Sequence, residues 1–95
     1  MGRIRKVVLD VLKPQDPGIA YLASKLSELD GIDGVNIVLY ELDRNTENIK
    51  ITIEGEDVKL DEVIKLLESY GAVVHSIDMV AAGKKIVEEE HTPQD

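Results

Sequence analysis

Ile49-Lys50-Ile51-Thr52-Ile53-Glu54 alternates apolar and polar side chains without a break, as a strand does when one face is buried and the other is not. It is the second arm of a longer stretch, Gly34 to Gly55. The first arm is Val35 to Leu42, and the polar run Asp43-Arg44-Asn45-Thr46-Glu47-Asn48 between the arms reads as a turn. The stretch is therefore a β-hairpin on which the rest of the chain packs. Ile49, Ile51 and Ile53 face inward in the second arm. In the first arm, Asn36 marks the outward set of Asn36, Val38, Tyr40 and Leu42, so Val35, Ile37 and Leu39 face inward.

Upstream of the hairpin, Arg3 to Leu12 reads as a strand with Val7, Leu9 and Val11 on one face and Val8, Asp10 and Leu12 on the other. Asp10 decides the orientation, because an unpartnered carboxylate in a core is costly; Val7, Leu9 and Val11 therefore face the helices. Lys13-Pro14-Gln15 leaves the strand. Asp16 is placed to cap a helix with Pro17 in its first turn. Ile19, Leu22, Ala23, Leu26 and Leu29 recur at helical spacing, and Gly31 supplies a positive-φ stop.

Downstream, Gly55 breaks the hairpin strand, and Asp57 or Asp61 is expected to cap a second helix. That helix buries the stripe Leu60, Val63, Ile64, Leu67 and Tyr70 and ends at Gly71. Ala72 to Val80 is the fourth strand. Its register is ambiguous, since Val73 and Val74 cannot both face inward without a bulge.

Strand, helix, strand, strand, helix, strand is the ferredoxin-like βαββαβ order of an α+β sandwich. Both helices then cover one face of a four-stranded antiparallel sheet, within a domain over residues 1–82. The open face carries Val8, Leu12, Val38, Tyr40 and Leu42 beside Asp10, Asn36, Lys50 and Thr52. So apolar a face calls for cover, from another subunit or from the chain's own tail. Residues 83–95 form a C-terminal extension, expected to be partly mobile, in which Ile86 and Val87 can anchor a short extra strand or helix.

Ninety-five residues suit one domain. With no cysteine, disulfides, thiolate metal sites and thiol nucleophiles are excluded. No apolar run approaches the length of a membrane span, and the basic start lacks a signal-peptide core, so the mature chain is expected to begin where the sequence does and to be cytoplasmic. Nineteen acidic against eleven basic side chains, a net charge of −8, oppose nucleic-acid binding and are compatible with hard divalent cations. Three tyrosines without Phe or Trp make a base-stacking platform hard to build.

No Ser, His or Gly pattern supports nucleophilic catalysis or a phosphate loop, and an enzyme is not expected. Asp10 is the most unusual polar residue. If strand four brings Asp78 beside it, the two carboxylates form a candidate site for Ca2+ or another hard divalent cation; the alternative partner is Lys50 on strand three. Ser76 is a further neighbour, and His75 then faces the other way. The clusters Asp30-Gly31-Ile32-Asp33 and Asp43 to Glu47 lack an EF-hand register and read as turns.

Val8-Leu9-Asp10-Val11-Leu12-Lys13-Pro14, Gly34-Val35-Asn36-Ile37, Ile51-Thr52-Ile53-Glu54-Gly55, His75-Ser76-Ile77-Asp78, Ala82-Gly83-Lys84-Lys85 and the Thr92-Pro93-Gln94-Asp95 end resemble an uncharacterised, mainly archaeal family, domain of unknown function 211. The resemblance spans nearly the whole chain. It implies a ferredoxin-like subunit that assembles into ring-shaped homo-oligomers, and it allows for bound calcium; it implies no activity. A looser likeness is to heavy-metal-associated domains, but these use Cys-x-x-Cys where this chain has Leu12 to Pro17, which removes soft-metal transport. The expectation is a non-enzymatic, ring-forming homo-oligomer with a divalent-cation site. The alternatives are a regulatory module binding a small metabolite between subunits, or an enzyme with an active site shared across an interface.

Overall fold

The computed structural model describes residues 2–90. Its elements are β1 (Ile4–Pro14), α1 (Ile19–Ser27), β2 (Ile32–Leu42), β3 (Thr46–Gly55), α2 (Leu60–Ser69) and β4 (Val73–Ala82). The strands make one antiparallel sheet in the order β2-β3-β1-β4, the ferredoxin-like arrangement of an α+β fold. Both edge strands, β2 and β4, lie outside the central β3–β1 pair.

Val7, Leu9 and Val11 of β1 and Ile49, Ile51 and Ile53 of β3 are fully buried, in one cluster with Leu22 and Leu26 of α1 and Val63 and Leu67 of α2. The parity argument from Asp10 thus picks the face that meets the helices. Each such side chain, taken fully out of water, stabilises the fold by about 1.5–3 kcal/mol.

The hairpin is longer and its turn tighter than expected. β1 and β3 pair as far as Pro14 opposite Thr46, and the connection between β2 and β3 contracts to residues 43–45, closed by the Asp43 amide donating to Thr46 O at 2.9 Å. Extending β1 by two residues draws Lys13 into the core row, where it is 1% exposed. Its ammonium donates to Glu47 Oε1 at 2.7 Å, to Pro14 O at 2.8 Å and to Gln15 O at 3.3 Å. All three N–H groups have acceptors, which is what makes its burial tolerable.

The longer strand also displaces the first helix. Residues 15–17 are spent on the turn, with a cis Asp16–Pro17 peptide, and α1 is capped by Gly18 without a side-chain hydrogen bond. Asp16 is therefore not the cap. In α2 the N-cap is Lys59, again without a side-chain bond. Asp57 instead uses its backbone amide, which donates to Gly31 O at 3.1 Å, and Asp61 lies inside the first turn with Glu62, where carboxylates still favour the helix dipole. The C-terminal end of α2 behaves as expected. Gly71, at φ 82°, donates to Glu68 O at 2.9 Å, and Ala72 donates to Leu67 O at 3.0 Å, the two bonds of a Schellman motif.

In β4, Val74 pairs with Val11 on the buried side and Val73 with Leu12 on the open side, so the adjacent valines simply alternate. The slip comes one residue later. His75 is an extra residue between Val74 and Ser76, and Asp78 is another between Ile77 and Met79. On β1 the extra residue is Arg5. Its guanidinium reaches Gly55 O at 2.8 Å, Gly83 O at 3.3 Å and Lys84 O at 2.9 Å, tying together the ends of β3 and β4.

Beyond β4 the chain forms neither helix nor strand through Glu90, so Ile86 and Val87 do not add an element to the sheet. Residues 91–95, including the Thr92-to-Asp95 end, lie outside the described residues.

Candidate functional site

The candidate site is the sheet face opposite the helices. Register sets its rows. Met79, Val8, Thr52 and Asn36 lie across β4, β1, β3 and β2 in one row; Ser76, Asp10, Lys50 and Val38 form the next; Val73, Leu12, Asn48 and Glu41 form a third. The centre is apolar and wet at once: Val8 is half-buried, while Leu12, Val38 and Val73 are 41%, 44% and 59% exposed. Isolated exposed valines are ordinary, but a contiguous group on one face is not.

Tyr40 is an extra residue in β2, between Leu39 opposite Ile49 and Glu41 opposite Asn48, and is 62% exposed. A bulge reverses the parity beyond it. Leu42 consequently falls opposite Glu47, in the register of the buried side, instead of continuing the row of Val38. It remains exposed at the end of the strand.

Asp10 stands opposite Lys50 on β3 and Ser76 on β4, the two neighbours expected from strand order. Register alone does not make a pair. The ion pairs among the described residues are Arg3–Glu56, Lys6–Glu54, Lys13–Glu47 and Lys25–Glu28, and Asp10–Lys50 is not one of them. Asn48 reaches Asp10 diagonally instead: with its amide nitrogen turned toward β1, it donates to Asp10 Oδ1 at 2.8 Å and to Val11 O at 3.2 Å. Asp78 accepts the Ser76 hydroxyl at 2.7 Å, and Ser76 is Asp10's direct neighbour. The sheet thus brings Asp10 next to the Ser76–Asp78 pair, with Asn48 as a neighbour that the strand parity alone could have supplied. Among the described residues no group of three or more acidic, His or Cys side chains is placed to hold a metal.

Two further features lie outside this centre. At one margin of the face, Asp33, Gly34, Val35, Asn36, Thr52 and Glu54 line a shallow concavity of about 300 Å3. On the helices, Tyr21 and Tyr70 pack edge to face, their centroids 5.8 Å apart, with the Lys25 ammonium 5.6 Å from the Tyr21 ring centre. Hydrogen bonding with the Tyr21 hydroxyl is the largest cause that raises the Tyr70 phenol above its usual pKa. No helix among the described residues is long and apolar enough to cross a membrane.

Residues 5–95 match the family DUF211, described as Uncharacterized ArCR. The Uncharacterized protein MJ0319 of Methanocaldococcus jannaschii is 56% identical over 95 residues, spanning 100% of this chain and 98% of its own length. A match over nearly every residue of both chains shows the family, and the chain belongs to the uncharacterised archaeal family DUF211.

Proposed function

We infer that the chain is a non-enzymatic subunit that assembles with copies of itself into a ring, using the open sheet face as a contact, and that Asp10 and Asp78 contribute to a site for a hard divalent cation such as Ca2+. The observation that carries the reading is the exposure of Leu12, Val38, Tyr40 and Val73 on or beside one uncovered face, which the described part of the tail leaves bare. Removing that area from water favours association at roughly 25 cal/mol per Å2, before the costs of ordering two bodies.

The cation part is the more demanding. Calcium takes six to eight oxygen ligands, and one chain offers Asp10, Asp78 and the Ser76 hydroxyl here; main-chain oxygens, water or a facing copy would supply the others. A small metabolite held between subunits is the second reading, supported by the concavity at Asp33 to Asn36, which a facing copy would close.

Light scattering tests the assembly: a mass several times 10.5 kDa is expected, reduced in Val38→Asp with Tyr40→Asp, and a parent that stays monomeric at micromolar concentration refutes it. Calcium titration by calorimetry, in parent and Asp10→Asn, tests the cation. The amide keeps an oxygen but loses the charge, so weaker binding is expected; identical isotherms remove Asp10 from the ligands.

A further inference from the structure

We propose that the free edge of β2 pairs antiparallel with the free edge of β4 of a second copy, with Leu42 opposite Ile77 and Leu39 opposite Val80. The order β2-β3-β1-β4 leaves these two strands at opposite edges, running antiparallel to one another. A second copy set beside the first in the same orientation therefore continues one antiparallel sheet. Inward and outward hydrogen bonding alternates along a strand together with side-chain face. In a sheet of four antiparallel strands, the outward-pointing amides and carbonyls thus lie on residues of the same face at both edges. Joining the edges keeps helix-side residues opposite helix-side residues.

Register singles out one alignment. On the helix side, Leu39 stands level with Ile49 and Leu42 with Glu47, across the extra residue Tyr40; Ile77 stands level with Leu9 and Val80 with Val7, across the extra residue Asp78. Both edges therefore carry two helix-side apolar residues three positions apart, where a strand without a bulge has them two apart. All four are exposed, whereas Val35, Ile37 and Val74 on the same strands pack against the core. Setting Leu42 on Ile77 and Leu39 on Val80 covers the four at once. It also sets Val38 opposite Ala81 on the open side and Ile37 opposite Ala82 on the helix side, so the faces stay matched from 77–82 against 42–37. Sliding the second copy to put Leu39 on Ile77 would bring Ile37 of the helix side against Met79 of the open side and leave Val80 bare.

Neither edge is guarded. β2 and β4 contain no Lys, Arg or Pro, the residues with which sheets keep their edges from pairing. The tail does not take up the β4 edge either. Gly83 donates its amide to Arg3 O at 2.8 Å, and among the described residues no later backbone amide joins the sheet. Val87, Glu88 and Glu89 stand away from Asp78, Met79 and Val80 of β4, leaving a gap of about 510 Å3. Because the two edges differ, the contact repeats head to tail, the kind of interface that closes into rings.

This contact uses the edges of the sheet and not its open face, so the two can fail separately. The chain has no cysteine, and β2 and β4 of one copy lie three strand spacings apart, about 14 Å, too far for a disulfide within the chain. Leu42→Cys with Ile77→Cys, and Leu39→Cys with Val80→Cys, place thiols at opposed positions of neighbouring copies. Leu42→Cys with Val80→Cys, and Leu39→Cys with Ile77→Cys, do not. Under mild oxidation the first two proteins should form covalent dimers and higher multimers on the order of tenfold faster than the last two, through the raised local concentration. Equal rates in all four overturn the proposal, and fastest linking in Leu39→Cys with Ile77→Cys overturns its register. The preference should persist when Leu12→Asp is added, since Leu12 lies on the open face of β1, away from both edges; its loss there overturns an edge contact separate from the face.

Charge reversal provides the second readout. The alignment sets Glu41 opposite Asp78, two like charges that oppose the contact. With a chelator present, Glu41→Lys and Asp78→Lys should each move assembly, followed by light scattering, to a concentration about threefold or more below that of the parent, and the two together should return it toward the parent. No change in either single variant, or strengthening that adds in the double variant, overturns the opposition of these residues.

Discussion

The Lys13–Glu47 pair gives the sharpest quantitative test of the fold. Lys13 is 1% exposed, and its Nζ lies 2.7 Å from Glu47 Oε1. Glu47→Gln keeps the shape and removes the charge. Breaking a fully buried pair costs about 3–5 kcal/mol, but Glu47 keeps 16% side-chain exposure and the ammonium keeps the Pro14 and Gln15 carbonyls. The expected loss is therefore about 2–3 kcal/mol. Against a total of about 5–15 kcal/mol for a domain, the variant should still fold, with its urea midpoint lowered by about 1–2 M.

Lys13→Met should cost at least as much as Glu47→Gln, since it strips the partner from a largely buried carboxylate. Lys13→Met with Glu47→Leu should return close to the parent, because an apolar pair of similar volume replaces the ion pair without desolvating charge. The double-mutant cycle should then show a coupling of at least about 2 kcal/mol. Additive costs, or a midpoint unmoved by Glu47→Gln, would show that water and the two carbonyls alone satisfy the ammonium.

Two further expectations follow from the packing. Gly55→Ala places a methyl against the Gly31 carbonyl and Ile32 Cα; backbone must shift to admit it, so a loss of about 1–3 kcal/mol is expected by thermal denaturation, and an unchanged midpoint would mean the β2–β3 end opens freely. Tyr21→Phe should lower the Tyr70 transition in a tyrosinate absorbance titration, since the Tyr21 hydroxyl is the main cause of its rise. A raised phenol binds its proton more tightly in the native state. Its contribution is fully present below the unfolded value, near 10, and is lost as pH climbs through the native one; an unmoved Tyr70 transition would remove the hydroxyl interaction as the cause.

What the sequence made legible was parity. Alternation in Ile49 to Glu54 and the awkward position of Asp10 were enough to orient both central strands and thus the whole sheet. Alternation fails at a bulge, because one extra residue exchanges the faces beyond it. Tyr40 moved Leu42 out of the open-face row in this way, while His75 and Asp78 decided which β4 residues neighbour Asp10. The burial of Lys13 is hidden in the sequence for a different reason. Its place in the series Val7, Leu9, Val11 was visible, but a charged residue beside Pro14 reads as the strand's exit unless Glu47, 34 positions away, is known to be opposite. Asp16 has the chemistry of a cap and Gly18 takes the place, because capping depends on where the strand releases the chain, which the capping residues do not encode.

The hydrogen bond from Gly83 to Arg3 brings the two ends of the folded unit side by side. A genetic linker of a few residues from 83 back to 2 would close it into a loop, and new termini could then be opened among residues 43–45, where no strand is cut. Such a circular permutant would retain every ladder of the sheet while leaving out the acidic extension, and so would isolate the behaviour of the open face from that of the tail.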